Sequence, residues 1–246
     1  MKPQIIAHRG WSGRYPENTL ISFEKALELP VDGIEFDLRM TSDRKIVISH
    51  NFNVDLRSNG TGYIADKTLA ELKKLDFGIK KGEEFAGTRI PEFGELLDLV
   101  EAKRPDIWLA VEIKDDDWDL AKRTFAELKH RGFDTHCSII SFKSNVLRAA
   151  KEYAPHIPRH GFSVLSLPTE AEKEEYLGLI NRVGIYVKRL TLAMSQFYHD
   201  RGITVDTWAP GNAEEYMVAR ACKVDYLTTN DPDVILPMQD KFSALN

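Results

Sequence analysis

The feature that most constrains this sequence is the alternation of short apolar runs with longer amphipathic stretches, kept up almost from end to end. The short runs fall at residues 4–8, 33–39, 108–114, 137–141, 159–162, 184–187, 203–207 and 225–229. Each is rich in β-branched or aromatic residues, as strands buried on both faces should be. Helical patterns lie between them at residues 20–29, 95–103, 120–131, 144–153, 170–180, 192–201 and 213–221. Leu96, Leu97, Leu99 and Val100 make one apolar stripe, and Leu120, Ala121, Phe125 and Leu128 make another. Strand–helix alternation with short connections predicts a parallel α/β sheet. About eight such units in about 250 residues is what a closed (β/α)8 TIM barrel requires, and this chain has 246 residues. An open doubly wound sheet is the alternative. It is disfavoured because Gly10-Trp11-Ser12-Gly13 does not make the Gly-rich dinucleotide turn expected after its first strand.

One segment breaks the rhythm. From about residue 51 to 91 the chain carries Ser58-Asn59-Gly60-Thr61-Gly62, a helical pattern at 68–75, and then a Gly- and charge-rich stretch. It is too long for an ordinary connection and too polar for a buried unit, so we expect a cap inserted between the second strand and its helix. The expected organisation is a single barrel domain, residues 1–246, with this cap.

Composition narrows the function. Net charge is −5, with 33 Lys+Arg against 38 Asp+Glu, so no broad basic field exists for nucleic acid. No run approaches 18 apolar residues, so no membrane insertion is expected. The N-terminus lacks the apolar segment of a signal peptide, which leaves a cytoplasmic location as the default expectation. Cys137 and Cys222 are the only cysteines and lie far apart, so they read as reduced thiols.

In a barrel, chemistry sits at the C-terminal ends of the strands. Those ends carry His8-Arg9, then Glu35 and Asp37, then Glu112 and Lys114, then Trp208, then Thr229-Asn230-Asp231. Glu35 and Asp37 are two apart and share one face of a strand. Three carboxylates in one barrel mouth would repel strongly unless a cation neutralised them, and hard oxygen ligands suit Mg²⁺ or Ca²⁺ better than zinc. Spacing alone leaves open a solvated strand end paired with its own Arg and Lys. His50 closes another strand-like run, Ile46-Val47-Ile48-Ser49. With His8 it could supply a general base and a general acid. His130, His136, His156, His160 and His199 read as structural.

These residues also resemble a known family. Ile6-Ala7-His8-Arg9-Gly10, Pro16-Glu17-Asn18-Thr19, Phe23, Ala26, Gly33-Ile34-Glu35-Phe36-Asp37-Leu38, Thr41 with Asp43, and Val47 with His50 follow in order. Asn59-Gly60-Thr61-Gly62, Leu69-Ala70-Glu71-Leu72, Leu75-Asp76-Phe77-Gly78, Ile90-Pro91, Val111-Glu112-Ile113-Lys114, Ser141-Phe142 and Thr229-Asn230-Asp231-Pro232 continue the series. The set resembles the glycerophosphodiester phosphodiesterases, tightly through about residue 115 and loosely afterwards. The resemblance implies a divalent cation held by Glu35, Asp37 and Glu112, and an acid–base pair of His8 and His50. It implies Arg9 and Lys114 on the phosphate and Trp208 beside the alcohol. The implied reaction converts a small-molecule glycerophosphodiester to glycerol 3-phosphate and an alcohol, a step of lipid and glycerol metabolism. Direct attack by water and attack by the glycerol 2-hydroxyl both fit. A homodimer is left open.

Two departures stand out. Asn51 follows His50 where the family usually has Asp, and Ala209-Pro210-Gly211-Asn212 replaces the more usual Thr-Val-Asn after Trp208. Two other readings remain: a related phosphodiesterase acting on a lysophospholipid or phosphoinositol species, and a binding module without turnover.

Overall fold

The computed structural model describes residues 2–243. The expected unit of residues 1–246 extends past these bounds, and Met1 and residues 244–246 lie outside the described residues. The strands are β1 (Gln4–His8), β2 (Gly33–Met40), β3 (Ile46–Ile48), β4 (Trp108–Ile113), β5 (Cys137–Ile140), β6 (Arg159–Phe162), β7 (Arg182–Tyr186), β8 (Thr204–Trp208) and β9 (Tyr226–Thr229). The helices are α1 (Leu20–Leu27), α2 (Leu69–Leu72), α3 (Phe93–Lys103), α4 (Trp118–His130), α5 (Ser144–Tyr153), α6 (Glu170–Leu177), α7 (Leu192–His199), α8 (Ala213–Ala221) and α9 (Pro232–Ser243).

The parallel strands run in the order β1-β9-β8-β7-β6-β5-β4-β2, and β1 pairs with β2 through Ile6–Gly33 and His8–Glu35. That last pairing closes the sheet into the expected (β/α)8 barrel and excludes the open alternative. The short β3 is antiparallel to β2, opposing Leu38 with Ile48 and Met40 with Ile46, so it extends the mouth of the barrel.

Alternation along each strand sorts side chains into two layers. On β2, Ile34, Phe36 and Leu38 are fully buried in the outer core, between strands and helices. Glu35 and Asp37, their neighbours on the other face, are turned inward. The lumen holds a much smaller apolar cluster of Ile6, Ala110 and Ile140, with Trp108, Phe162 and Tyr226 against it. Polar groups occupy much of the rest.

Between β3 and α3, the chain makes the helix α2 and 3₁₀ turns at Ile64–Asp66 and Glu83–Phe85. It has its own small core, in which Val54, Ile64, Leu72 and Phe77 pack with Val47 and Ile90. Thr68 and Glu71 form a reciprocal capping box that starts α2. Lys81 Nζ donates to the carbonyls of Ser12 and Gly13, both at 2.8 Å, which ties this segment to the loop after β1.

Two differences from the sequence expectation have identifiable causes. β7 begins two residues early, at Arg182, because that guanidinium is buried in the lumen rather than solvated. α9 was not expected, since Pro232 opens it and Pro237 interrupts its pattern. Proline is tolerated in the first helical turn, where its missing N–H costs nothing. Cys137 and Cys222 are both free and buried. Among the described residues, no helix is long and apolar enough to cross a membrane.

Candidate active site

The C-terminal ends of the strands surround one cleft, lined by His8, Arg9, Glu35, His50, Glu112 and Lys114 on one side. Facing them are Phe142, His160, Phe162, Asp206, Trp208 and Thr228. Every residue singled out from the sequence therefore reaches this cleft or, for Asp37, the acidic cluster at its base.

That cluster is formed by register. Asp37 on β2 pairs directly with Glu112 on β4, while Glu35 pairs with His8 on β1. Carboxylate oxygens of Glu35, Asp37 and Glu112 lie within 4.8 Å of one another, on side chains that are all buried. Asn18 Nδ2 donates to Asp37 Oδ2 at 2.7 Å, and the Arg9 backbone N–H donates to Glu35 Oε2 at 2.9 Å. Lys114 Nζ donates to Glu112 Oε1 at 2.7 Å and lies 3.5 Å from Asp37 Oδ1. Asp37 Oδ1 itself accepts no hydrogen bond within the protein. A buried carboxylate oxygen without a donor, facing two further carboxylates, is what a divalent cation with oxygen ligands would complete. The cluster thus marks a candidate metal site of hard-ligand character.

The charges divide unequally. Burial and the neighbouring Asp37 raise Glu35 well above the ordinary carboxylate range, and the same causes push Glu112 up to about 7 despite Lys114. Burial acts against ionised Asp37 too, but Arg9 and Lys114 outweigh it and hold that carboxyl down at about 2. Arg9 is itself fixed by Glu17, whose Oε1 accepts from Nη1 at 3.0 Å. Glu17 also pairs with Arg57 of the inserted segment at 2.9 Å.

Both imidazoles are oriented through Nδ1. His8 Nδ1–H donates to Asn230 Oδ1 at 2.6 Å, which leaves Nε2 with its lone pair, 3.8 Å from Glu35 Oε2. Burial, then the Arg9 charge, lowers the His8 pKa to about 4. His50 Nδ1–H donates to Asn51 Oδ1 at 3.0 Å, and its pKa is lowered by burial, partly offset by Asp37. Arg39 holds the His50 backbone in place by donating to its carbonyl from Nε (3.1 Å) and Nη2 (2.7 Å). Asp115 in turn pairs with Arg39.

The loop after β1 is bent sharply to deliver these groups. Arg9 has φ of 56° and Gly10 has φ of 76°. A Cβ on Gly10 would come within 2.6–2.8 Å of the Ser22 backbone, so only glycine fits this close approach to α1. Asn18, also left-handed at φ 57°, turns its amide onto Asp37.

The profile of the glycerophosphoryl diester phosphodiesterase family matches residues 8–234. The chain belongs to that family. It is accordingly an enzyme, a phosphoric diester hydrolase. A glycerophosphodiester phosphodiesterase of Caldanaerobacter subterraneus subsp. tengcongensis is 32% identical over 98% of this chain and 99% of its own. One from Bacillus subtilis is 28% identical, covering 93% of this chain and 84% of its own. Among solved structures, an Oleispira antarctica phosphodiesterase in complex with the product sn-glycerol-3-phosphate superposes with a TM-score of 0.86 at 26% identity, covering 97% of each chain. The glycerophosphodiester phosphodiesterase from Agrobacterium tumefaciens shares the fold, with a TM-score of 0.80 at 21% identity over 96% of this chain and 99% of that one.

Sequence reasoning assigned no role to Asn18, Glu17 or Asn230, although each lies inside a quoted motif. Their common signal is a polar side chain in a loop that follows the C-terminal end of a strand. His160, which reads as structural in the sequence, has its ring on the wall of the cleft.

Proposed function

We propose that this enzyme hydrolyses small-molecule glycerophosphodiesters, such as glycerophosphocholine or glycerophosphoethanolamine, to sn-glycerol 3-phosphate and an alcohol. One divalent cation, Mg²⁺ or Ca²⁺, would be held by Glu35, Asp37 and Glu112. We read residues 1–246 as one barrel domain with the segment at about 51–91 as its cap. The observation that carries the proposal is the buried carboxylate cluster, whose Asp37 Oδ1 accepts no hydrogen bond, in a cleft lined by two imidazoles in a family of phosphodiesterases.

When bound, the cation supplies positive charge where the phosphodiester oxygens become more negative in the transition state. Arg9 and Lys114 add to that charge from the same wall. Both are already clamped by carboxylates, so little reorganisation is needed when substrate arrives. His8 is the base: its Nδ1–H is committed to Asn230, and Nε2 is free to take the proton of the attacking oxygen. That oxygen is a water or the glycerol 2-hydroxyl. His50, on the rim of the cleft, delivers a proton to the leaving alkoxide, which is otherwise too basic to depart. Trp208 lines the alcohol side.

The test is product analysis. With glycerophosphocholine, glycerol 3-phosphate should accumulate with added Mg²⁺ or Ca²⁺ and cease with chelator, without release of inorganic phosphate. His8→Ala and His50→Ala should each lower kcat by at least about 10²-fold with the fold retained by circular dichroism. If glycerophosphocholine, glycerophosphoethanolamine and glycerophosphoglycerol all stay intact with every divalent cation, the proposal fails.

A further inference from the structure

The wall of the cleft opposite the acids has polar groups that the proposed chemistry does not use. His160 and Asp206 are only 3% and 5% exposed, yet both line the cleft. Thr228 Oγ1 donates to Asp206 Oδ2 at 2.9 Å, which leaves Oδ1 without a hydrogen bond. Neither ring nitrogen of His160 has a protein partner, and its Nε2 is 3.9 Å from Asp206 Oδ2, too far for a hydrogen bond. The Trp208 Nε1–H is likewise buried and unpaired. Gly184 makes this arrangement fit: it lies between Phe162 and Asp206 in the strand register, and a Cβ there would come 2.8 Å from His160 Nε2.

The chemistry of these atoms selects among ligands. Burial and Arg182 keep His160 neutral, its pKa well below the ordinary value, so its ring offers one donor and one acceptor. Asp206 Oδ1 adds an acceptor and Trp208 Nε1–H a donor. Hydroxyl groups both give and accept, so a vicinal diol can satisfy the whole set. A quaternary ammonium can satisfy none of it, and a primary ammonium only the acceptors.

Charge points the same way. The Arg182 guanidinium lies over the Tyr226 ring at 3.5 Å and the Trp108 ring at 5.2 Å, deeper in the lumen, and its charge faces Asp206. The floor is therefore close to neutral rather than anionic. On the aromatic wall, Lys114 Nζ already lies 5.8 Å from the Phe142 ring, which disfavours a second cation there.

We propose that His160, Asp206 and the Trp208 indole N–H form a polyol subsite, which reads hydroxyl groups on an alcohol end of the substrate rather than a cationic head group. The inference rests on the phosphodiesterase reading above and names the chemistry its substrate must carry. The hydroxyls could belong to the retained glycerol or to the released alcohol.

The experiment compares the cation-loaded wild type with Asp206→Ala and His160→Phe, the second keeping a ring while removing both nitrogens. Three substrates are used: glycerophosphoglycerol, with hydroxyls at both ends; glycerophosphocholine, with hydroxyls at one; and bis(4-nitrophenyl) phosphate, with none. The readout is kcat/KM for each glycerol ester divided by that for the nitrophenyl ester, which a general loss of folding would not move. Both ratios falling at least about tenfold in the variants assigns the subsite to the retained glycerol. A fall confined to glycerophosphoglycerol assigns it to the released alcohol. Ratios unchanged in both variants overturn the proposal, whereas a wild type that leaves both glycerol esters intact sinks the phosphodiesterase reading instead. Calorimetry then checks the retained-glycerol assignment without turnover. Where both ratios fall, wild type should bind sn-glycerol 3-phosphate at least about tenfold more tightly than inorganic phosphate, and His160→Phe should lose that margin. Equal margins in the two proteins, together with ratios that do not fall for glycerophosphoglycerol, reject the subsite.

Discussion

Asn51 gives His50 an uncharged partner. Its Oδ1 accepts from Nδ1–H, while its own Nδ2 is buried without an acceptor. A neutral carbonyl orients the ring but does little to hold a proton on it, and burial already favours the neutral imidazole. A carboxylate at this position would stabilise the imidazolium that the proposed acid role requires. Asn51→Asp should therefore raise the upper apparent pKa of the kcat/KM profile by about one unit, measured as the pH at which activity falls on the alkaline side. An alkaline limb that stays in place would detach His50 from the leaving group. At this scale the sequence was most legible where chemistry repeats along a strand. Glu35 and Asp37 are two apart, so shared facing follows from the pleat alone. His160, Arg182 and Asp206 lie on separate strands, each without an ionisable residue two positions away on the same strand face. Nothing local distinguishes such a residue from one that snorkels to solvent, and only the lateral pairing of β6, β7 and β8 brings the three together.

Among the elements, the strands and helices that obey one period were readable to within a few residues, and the exceptions have physical causes. Arg182 looks like a strand boundary until Trp108 and Tyr226 cover it, and Pro237 hides the helical period of α9. The segment between β3 and α3 is a different case, because its core is small and largely its own. Leu72 is fully buried among Val54, Ile64 and Phe77, and few groups outside this cluster depend on it. Leu72→Ala should cost about 2–5 kcal/mol, and that loss should be spent locally. Hydrogen exchange should accelerate across residues 49–92 while the barrel strands keep their protection. kcat/KM should also fall, since Glu17 meets both Arg57 from this segment and Arg9 in the cleft. Acceleration spread evenly over the barrel would mean that the segment does not open as a separate unit.

For the whole molecule, the acids that form the site oppose the fold that holds them. Glu112 is shifted from 4.5 to about 7, so the folded protein binds that proton more tightly than the unfolded chain does. The resulting stability is fully present below pH 4.5 and is lost as pH rises through about 7, on the order of 3 kcal/mol. Asp37 acts in the other direction, but its window lies between 3.8 and about 2 and leaves neutral pH untouched. His8, held down at about 4, loses its contribution as pH falls from 6.5. The histidine and the glutamate thus tilt the stability of the metal-free protein in opposite senses between pH 4.5 and 7, and its pH profile alone would not separate them. A substitution does. In chelator, Glu112→Gln should melt above wild type at pH 8, by several degrees if roughly 2–4 °C follows each kcal/mol in a chain of this size. The gap should close below about pH 5, where wild-type Glu112 is also neutral. Adding Mg²⁺ or Ca²⁺ should reverse the order at pH 8, because the ion stabilises only the protein that retains all three carboxylates, and its effect should shrink towards pH 5 as protons compete. A cation that raises both melting temperatures equally at pH 8 would remove Glu112 from the ligand set while leaving the barrel, and the rest of the cleft, as described.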